Sequence, residues 1–145
     1  MKKVVLGSDH AGFDLKQVIK EFLTEEKVDF YDVGCYSKDS CDYPDYASLV
    51  AKEMKMNDDD ALGIVICGSG NGINMAMNRF KGIRSALCWK PELAELARLH
   101  NNANVLALPG RFIEPADAIL CVKKFLNTPF EGGRHQNRIN KLEDL

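Results

Sequence analysis

A cysteine that opens a glycine loop, Cys67-Gly68-Ser69-Gly70-Asn71-Gly72, is the stretch of this chain best suited to chemistry. Before it, residues 63–67 form a short apolar run rich in β-branched residues, and after it a helical pattern runs through Ile73, Ala76 and Met77. A buried strand that passes through a glycine loop into a helix aims several backbone N–H groups at one point. Glycines also let a ligand come close to that backbone, so the loop is a site for an anion. The same donors favour the thiolate of a cysteine at the strand's end and can hold an oxyanion that develops on a substrate beside it. The plain alternative for Cys67 is a small buried apolar residue. Known phosphate loops do not fit. The position six residues after Cys67 is Ile73 rather than arginine, Gly68, Gly70 and Gly72 give G-x-G-x-G instead of G-x-G-x-x-G, and no G-x-x-x-x-G-K-[ST] occurs.

Other residues with chemical potential sit between apolar segments. Asp9 and His10 lie in Ser8-Asp9-His10-Ala11-Gly12, where they could orient one another or hold a ligand, although Asp9 also suits a cap. Tyr43, in Asp42-Tyr43-Pro44-Asp45, could face a pocket or cover the edge of the core with its hydroxyl in water. His100 opens the run His100-Asn101-Asn102-Ala103-Asn104 at a helix end, a place from which it could cap the helix or donate a proton. Arg111 follows Pro109-Gly110, and Arg134 and Arg138 stand four apart in the tail, where two guanidinium forks on one helical face suit a phosphate dianion. The acidic run Asn57-Asp58-Asp59-Asp60 lacks the alternate spacing and downstream glutamate of a calcium loop and reads as a solvated turn.

The elements that must position these residues alternate regularly. Strands are expected at residues 2–7, 29–33, 63–67, 84–88 and 105–108. Helices are expected after Gly12, from about Asp45 to Met56, after Gly72, from Pro91 and from Glu114-Pro115. The first helix carries Leu15, Val18, Ile19 and Phe22 on one face, with lysines and glutamates on the other. Such alternation predicts an α/β fold: a three-layer αβα sandwich around a five-stranded, Rossmann-like parallel sheet, with a helical C-terminal tail. Ligands of such sheets sit outside the carboxyl ends of the strands, where Asp9, His10, Cys67 and Arg111 fall.

Composition bounds the partners. The 145 residues, 46% apolar and 28% charged, suit one domain, 1–145, whose tail, 129–145, is expected to pack on a partner subunit. A formal charge of −2 disfavours nucleic acid and anionic membranes as partners. There is no secretory or membrane-spanning run, and five cysteines without C-x-x-C spacing suggest neither a disulfide framework nor a zinc ribbon, so a reduced, cytoplasmic protein is expected.

Five pieces together, Ser8-Asp9-His10-Ala11-Gly12, Asp42-Tyr43-Pro44, residues 67–72, residues 100–104 and Gly132-Gly133-Arg134-His135-x-x-Arg138, resemble the type B ribose-5-phosphate isomerases and the related galactose-6-phosphate isomerase subunits. The resemblance implies interconversion of ribose 5-phosphate and ribulose 5-phosphate in the pentose phosphate pathway, with no metal or organic cofactor. It implies Cys67 as the base, and Gly68, Ser69, Gly70, Asn71 and Gly72 as the loop around the developing enediolate. His100, with Asp9 nearby, would open the furanose ring. His10, Arg111, Arg134 and Arg138 would grip the phosphate, Asn101 a sugar hydroxyl, and Tyr43 would line the pocket. It also implies a homodimer or homotetramer with shared sites, in which His100, Asn101 and Arg111 stand beside Cys67 of another subunit. Related branches leave two alternatives open, a six-carbon sugar phosphate (allose or galactose 6-phosphate) as substrate, or a non-catalytic phosphosugar-binding subunit. Cys35, Cys41, Cys88 and Cys121 receive no role.

Overall fold

In the computed structural model, which describes residues 2–57 and 60–145, the chain alternates strands and helices almost throughout. β1 (Val4–Ser8) leads through a single 3-10 turn (His10–Gly12) into α1 (Phe13–Glu25), followed by β2 (Phe30–Asp32), α2 (Tyr43–Met56), β3 (Leu62–Cys67) and α3 (Asn71–Met77). Then come β4 (Ser85–Leu87), α4 (Pro91–Asn101), β5 (Val105–Pro109), α5 (Pro115–Asn127) and α6 (Arg134–Glu143). All strand pairs are parallel, in the order β2-β1-β3-β5-β4. The chain turns outward in both directions from β1 and β3, which makes the β1/β3 boundary the switch point of the sheet.

The two-residue period of the strands divides the core. Val4, Leu6, Ile64, Ile66, Leu106 and Leu108 face the layer of α1, α4 and α5. Val5, Val65, Cys67, Val105 and Ala107 face α2 and α3. Gly63 is required here, because a Cβ would lie 2.9 Å from Met54 Sδ and 3.1 Å from Val105.

Expected and observed elements agree in type and order and differ at their ends. α2 starts at Tyr43 rather than near Asp45, because Pro44 falls in its first turn, where its missing N–H and fixed φ suit a helix. In the acidic turn expected at 57–60, Asp58 and Asp59 lie outside the described residues. The polar face expected of α1 is corrected at one position: Lys16 is fully buried. Its Nζ donates to Asp32 Oδ1 (2.7 Å) and to the carbonyl of Cys35, while Lys20 Nζ donates to Asp32 Oδ2 (2.9 Å). Burial pushes the Lys16 pKa down, opposed by Asp32. Burial alone would raise the Asp32 pKa, but hydrogen bonds from Lys16, Lys20 and the Gly34 N–H hold it below the usual carboxylate range. Among the described residues, no helix is long and apolar enough to cross a membrane.

Candidate active site

At the carboxyl ends of β1 and β3 the first group of expected residues comes together. Asp9 donates its N–H to the Ile66 carbonyl (3.3 Å), and its carboxylate accepts from the N–H groups of Ala11 (3.0 Å) and Gly12 (3.2 Å), so it caps the 3-10 turn and fixes it against β3. His10 Nδ1 accepts the Cys41 N–H (3.2 Å), which leaves the neutral ring's proton on Nε2, available to a ligand.

Cys67 ends β3 and is buried. Its carbonyl accepts from Gly110 N (2.9 Å), and that of Gly68 accepts from Arg111 N (2.9 Å), fastening the glycine loop to the loop after β5. Arg111 therefore lies over its own chain's Gly68: a Cβ on that glycine would stand 3.5 Å from Arg111 Cδ and Nη1. This differs from the expected placement of Arg111 beside Cys67 of another subunit, and the two-bond clamp is the reason. Asn71 N donates to Ser69 Oγ (3.2 Å), whereas the N–H groups of Gly68, Ser69, Gly70 and Gly72 make no hydrogen bond among the described residues. Four unspent donors beside a thiol form an environment for developing negative charge. Gly70 turns the loop at φ +78°, a conformation that suits glycine. Gly72 lies beneath the Tyr43 ring, where a Cβ would come within 2.6 Å of Cζ.

A cavity of about 700 Å³ opens beyond this loop, lined by Ser69, Asn71, Leu87, Trp89, Arg111 and Phe112 among others. Trp89 and Phe112 were not among the expected site residues, yet they are 52% and 75% exposed. The available signal was a large aromatic within three residues of the carboxyl end of a strand, β4 and β5 respectively.

The second group of residues lies elsewhere in the chain. α4 returns to the start of β5, so His100 and Asn101 sit at the amino edge of the sheet. The pairs Gly63↔Val105 and Cys67↔Pro109 mark the two edges. Four residue steps separate these pairs, about 13 Å at ~3.3 Å per residue. Within one chain His100 is therefore not beside Asp9 or Cys67.

The end of α4 is held firmly. Asn102, at φ +46°, terminates the helix. Buried Arg98 donates to the carbonyls of Ala103 (2.6 Å) and Thr128 (3.1 Å) and to Asn102 Oδ1 (2.9 Å), and Arg84 Nε donates to the carbonyls of Asn101 and Asn102. Asn104 accepts from Arg84 N and donates to the Gly82 carbonyl (both 2.8 Å). In this run of asparagines only the Asn101 side chain makes no hydrogen bond among the described residues, as a ligand-binding amide requires.

α6 packs on α4. His135 stacks on His100 with ring centroids 4.4 Å apart and planes 16° apart, and Ile139 is buried behind it. Burial and the neighbouring His100 push the His135 pKa below its ordinary value. Glu131 Oε2 is 3.9 Å from Nε2 of both rings, and its N–H donates to the Leu99 carbonyl (3.1 Å). Arg134 and Arg138, one turn apart, are exposed. The sequence reading assigned no part to Arg98, Glu131 or His135. The remaining cysteines differ from Cys67 in position: burial pushes the Cys88 thiol up to about 12 and the Cys121 thiol up to about 11, so both act as packing.

A doubly wound parallel sheet with a thiol, unpaired backbone donors and cationic side chains at its switch-point edge defines an α/β enzyme-like site for a small anion. Comparison with known proteins makes this specific. Residues 4–142 match the family described as Ribose/Galactose Isomerase, and the chain belongs to that family. The chain is 44% identical over 142 residues to the ribose-5-phosphate isomerase B of Escherichia coli, covering 98% of this chain and 95% of that one. The crystal structure of a ribose 5-phosphate isomerase from Thermotoga maritima superposes with a TM-score of 0.95 at 46% identity, over 99% of each chain. That of ribose-5-phosphate isomerase B from Mycoplasma genitalium with bound ribulose-5-phosphate gives a TM-score of 0.93 at 45% identity, over 98% of this chain and 94% of that one.

Proposed function

We propose that this chain is an aldose–ketose isomerase that interconverts ribose 5-phosphate and ribulose 5-phosphate. The observation that carries the reading is Cys67 beside the unspent N–H groups of Gly68, Ser69, Gly70 and Gly72. In the open-chain aldose, the Cys67 thiolate takes the proton from C2. The resulting enediolate oxygen rests on the loop donors, and the thiol returns the proton to C1. The Ser69 hydroxyl relays the O2 proton to O1, which completes the ketose. No electrons leave the substrate, and the reaction balances without a co-reactant.

Only an open chain can undergo the shift, and His100 is the proton donor that opens the furanose. Its position at the opposite edge of the sheet supports a homodimer or homotetramer in which one copy supplies Asp9, His10, Tyr43, the Cys67 loop and Arg111. The other supplies His100, Asn101, Arg134 and Arg138 from the outward face of its tail. The phosphate then meets His10 and Arg111 from one side and Arg134 and Arg138 from the other. Five cysteines outside any disulfide and a central metabolic substrate favour the cytoplasm.

The test is a coupled assay of ribulose 5-phosphate formation, with and without EDTA. Expected are turnover that survives EDTA and a kcat for Cys67→Ala lower by about 10³-fold or more, with product affinity little changed. Retained turnover in Cys67→Ala would refute its role as base. Binding of the sugar phosphate with no turnover in the unmodified protein would favour a binding subunit.

A further inference from the structure

Glu131 and His135 take no part in the proposed reaction, yet they form a cluster with His100 at the junction of α4, the segment after α5, and α6. His100 Nε2 and His135 Nε2 each lie 3.9 Å from Glu131 Oε2, and the three ligand atoms are all within 4.8 Å of one another. Two imidazoles and one carboxylate form a common donor set for a metal of intermediate softness. We infer that His100, Glu131 and His135 bind a divalent transition-metal ion of the zinc class, and that the bound ion takes His100 out of ring opening. The binding half of this inference rests on the cluster alone, whereas the inhibitory half rests on the proposed role of His100.

Bonds of ~2.0–2.2 Å in a tetrahedral site place ligand atoms about 3.4 Å apart, so the cluster must contract by roughly 0.5–1.4 Å, and the His100 ring must turn out of its stack on His135, because an imidazole nitrogen coordinates in the plane of its ring. The exposure of its members allows this. The His135 side chain is 8% exposed and serves as the fixed anchor, while those of His100 and Glu131 are 42% and 56% exposed and can rotate toward it. The backbone beneath is already pinned, by Glu131 N to the Leu99 carbonyl and by Arg98 to the carbonyls of Ala103 and Thr128. With a single carboxylate and two nitrogens, the set is poor for magnesium or calcium, which take oxygen ligands. Arg134 and Arg138 share α6 with His135 and repel a cation, which disfavours loosely held ions and leaves directional coordination as the source of affinity.

The experiment uses the whole protein, stripped with EDTA and then freed of chelator. It is titrated with Zn²⁺ by calorimetry and with Co²⁺ by visible absorption. Expected are about one ion per chain and a cobalt spectrum without a sulfur-to-cobalt charge-transfer band, because the ligands are nitrogen and oxygen. Glu131→Gln, an exposed change that spares the fold, weakens zinc at least tenfold, and His135→Asn does the same if it folds. The zinc concentration that halves turnover, referenced to each variant's own metal-free rate, rises in parallel. A sulfur-to-cobalt band would move the ion to a thiol such as Cys67 and overturn the site, as would wild-type affinity in Glu131→Gln. Full turnover at saturating zinc would overturn the inhibitory half.

Discussion

If the two edges of the sheet serve different copies of one active site, defects at opposite edges must complement. Cys67→Ala damages the carboxyl edge and His100→Asn the amino edge, about 13 Å away along the same chain. Each homo-oligomer alone contains no intact site, and loss of a general acid or base lowers turnover by about 10²–10⁴-fold. When the two chains are co-expressed in equal amounts and assemble at random, a site receives an intact Cys67 half with probability one half, and an intact His100 half independently with the same probability. In the unsorted mixture, activity per chain should therefore return to about a quarter of the unmutated value, and in heterodimers freed of both parents to about a half, because one of their two sites is intact. The assay is the ribulose 5-phosphate rate of mixed oligomers, purified through two affinity tags, against each parent. Purified hetero-oligomers no more active than the parents would refute the shared site.

Three further outcomes follow from particular contacts. Lys16→Met should lower stability by about 2–4 kcal/mol in chemical denaturation, because it leaves Asp32 and the Cys35 carbonyl short of a buried donor while Lys20 still holds Asp32; a loss under about 1 kcal/mol would contradict this account. Gly72→Ala places a Cβ 2.6 Å from the Tyr43 ring, which at 38% exposure can swing outward. The expected result is a KM for ribose 5-phosphate raised about three- to tenfold with a destabilisation of roughly 1 kcal/mol, and an unchanged KM would detach Tyr43 from the pocket. His135 has a folded pKa below its ordinary 6.5, so at pH values between the two the unfolded chain holds more protons. Stability should accordingly fall as pH drops through 6.5 toward the folded pKa, and His135→Gln should remove that part of the slope in thermal denaturation between about pH 7.5 and 5.5.

What the sequence revealed, and what it hid, follows from the range of the interactions. Apolar runs, together with proline and glycine signals at their ends, reported the order of strands and helices, because burial of one face and the start of a helix are local properties of the chain. The Cys67 loop was legible because its chemistry is contiguous. Arg98 was invisible, since its function is to hold carbonyls that come near only after α4 and α5 have packed. Lys16 was misread for the same reason: a lysine at an apparently polar helical position becomes core only when Asp32 and Cys35 arrive from β2 and the segment after it. Arg111 was expected beside Cys67 of another copy, whereas the bond from its N–H to the Gly68 carbonyl, a contact between distant loops, sets it over the glycine loop of its own chain.

The strand order also sets a schedule for synthesis. Among the described residues β5 is the last strand made, yet it inserts between β3 and β4, and β4 has no other partner in the sheet. A nascent chain that has not yet reached residue 105 carries β3 with one edge open and β4 unpaired, two templates for intermolecular pairing. Such a chain also lacks Gly110 and Arg111, whose N–H groups clamp the carbonyls of Cys67 and Gly68. The Cys67 thiol thus acquires its ordered surroundings at the moment the sheet closes, and premature termination before β5 yields a product that is adhesive and lacks the clamp on its glycine loop.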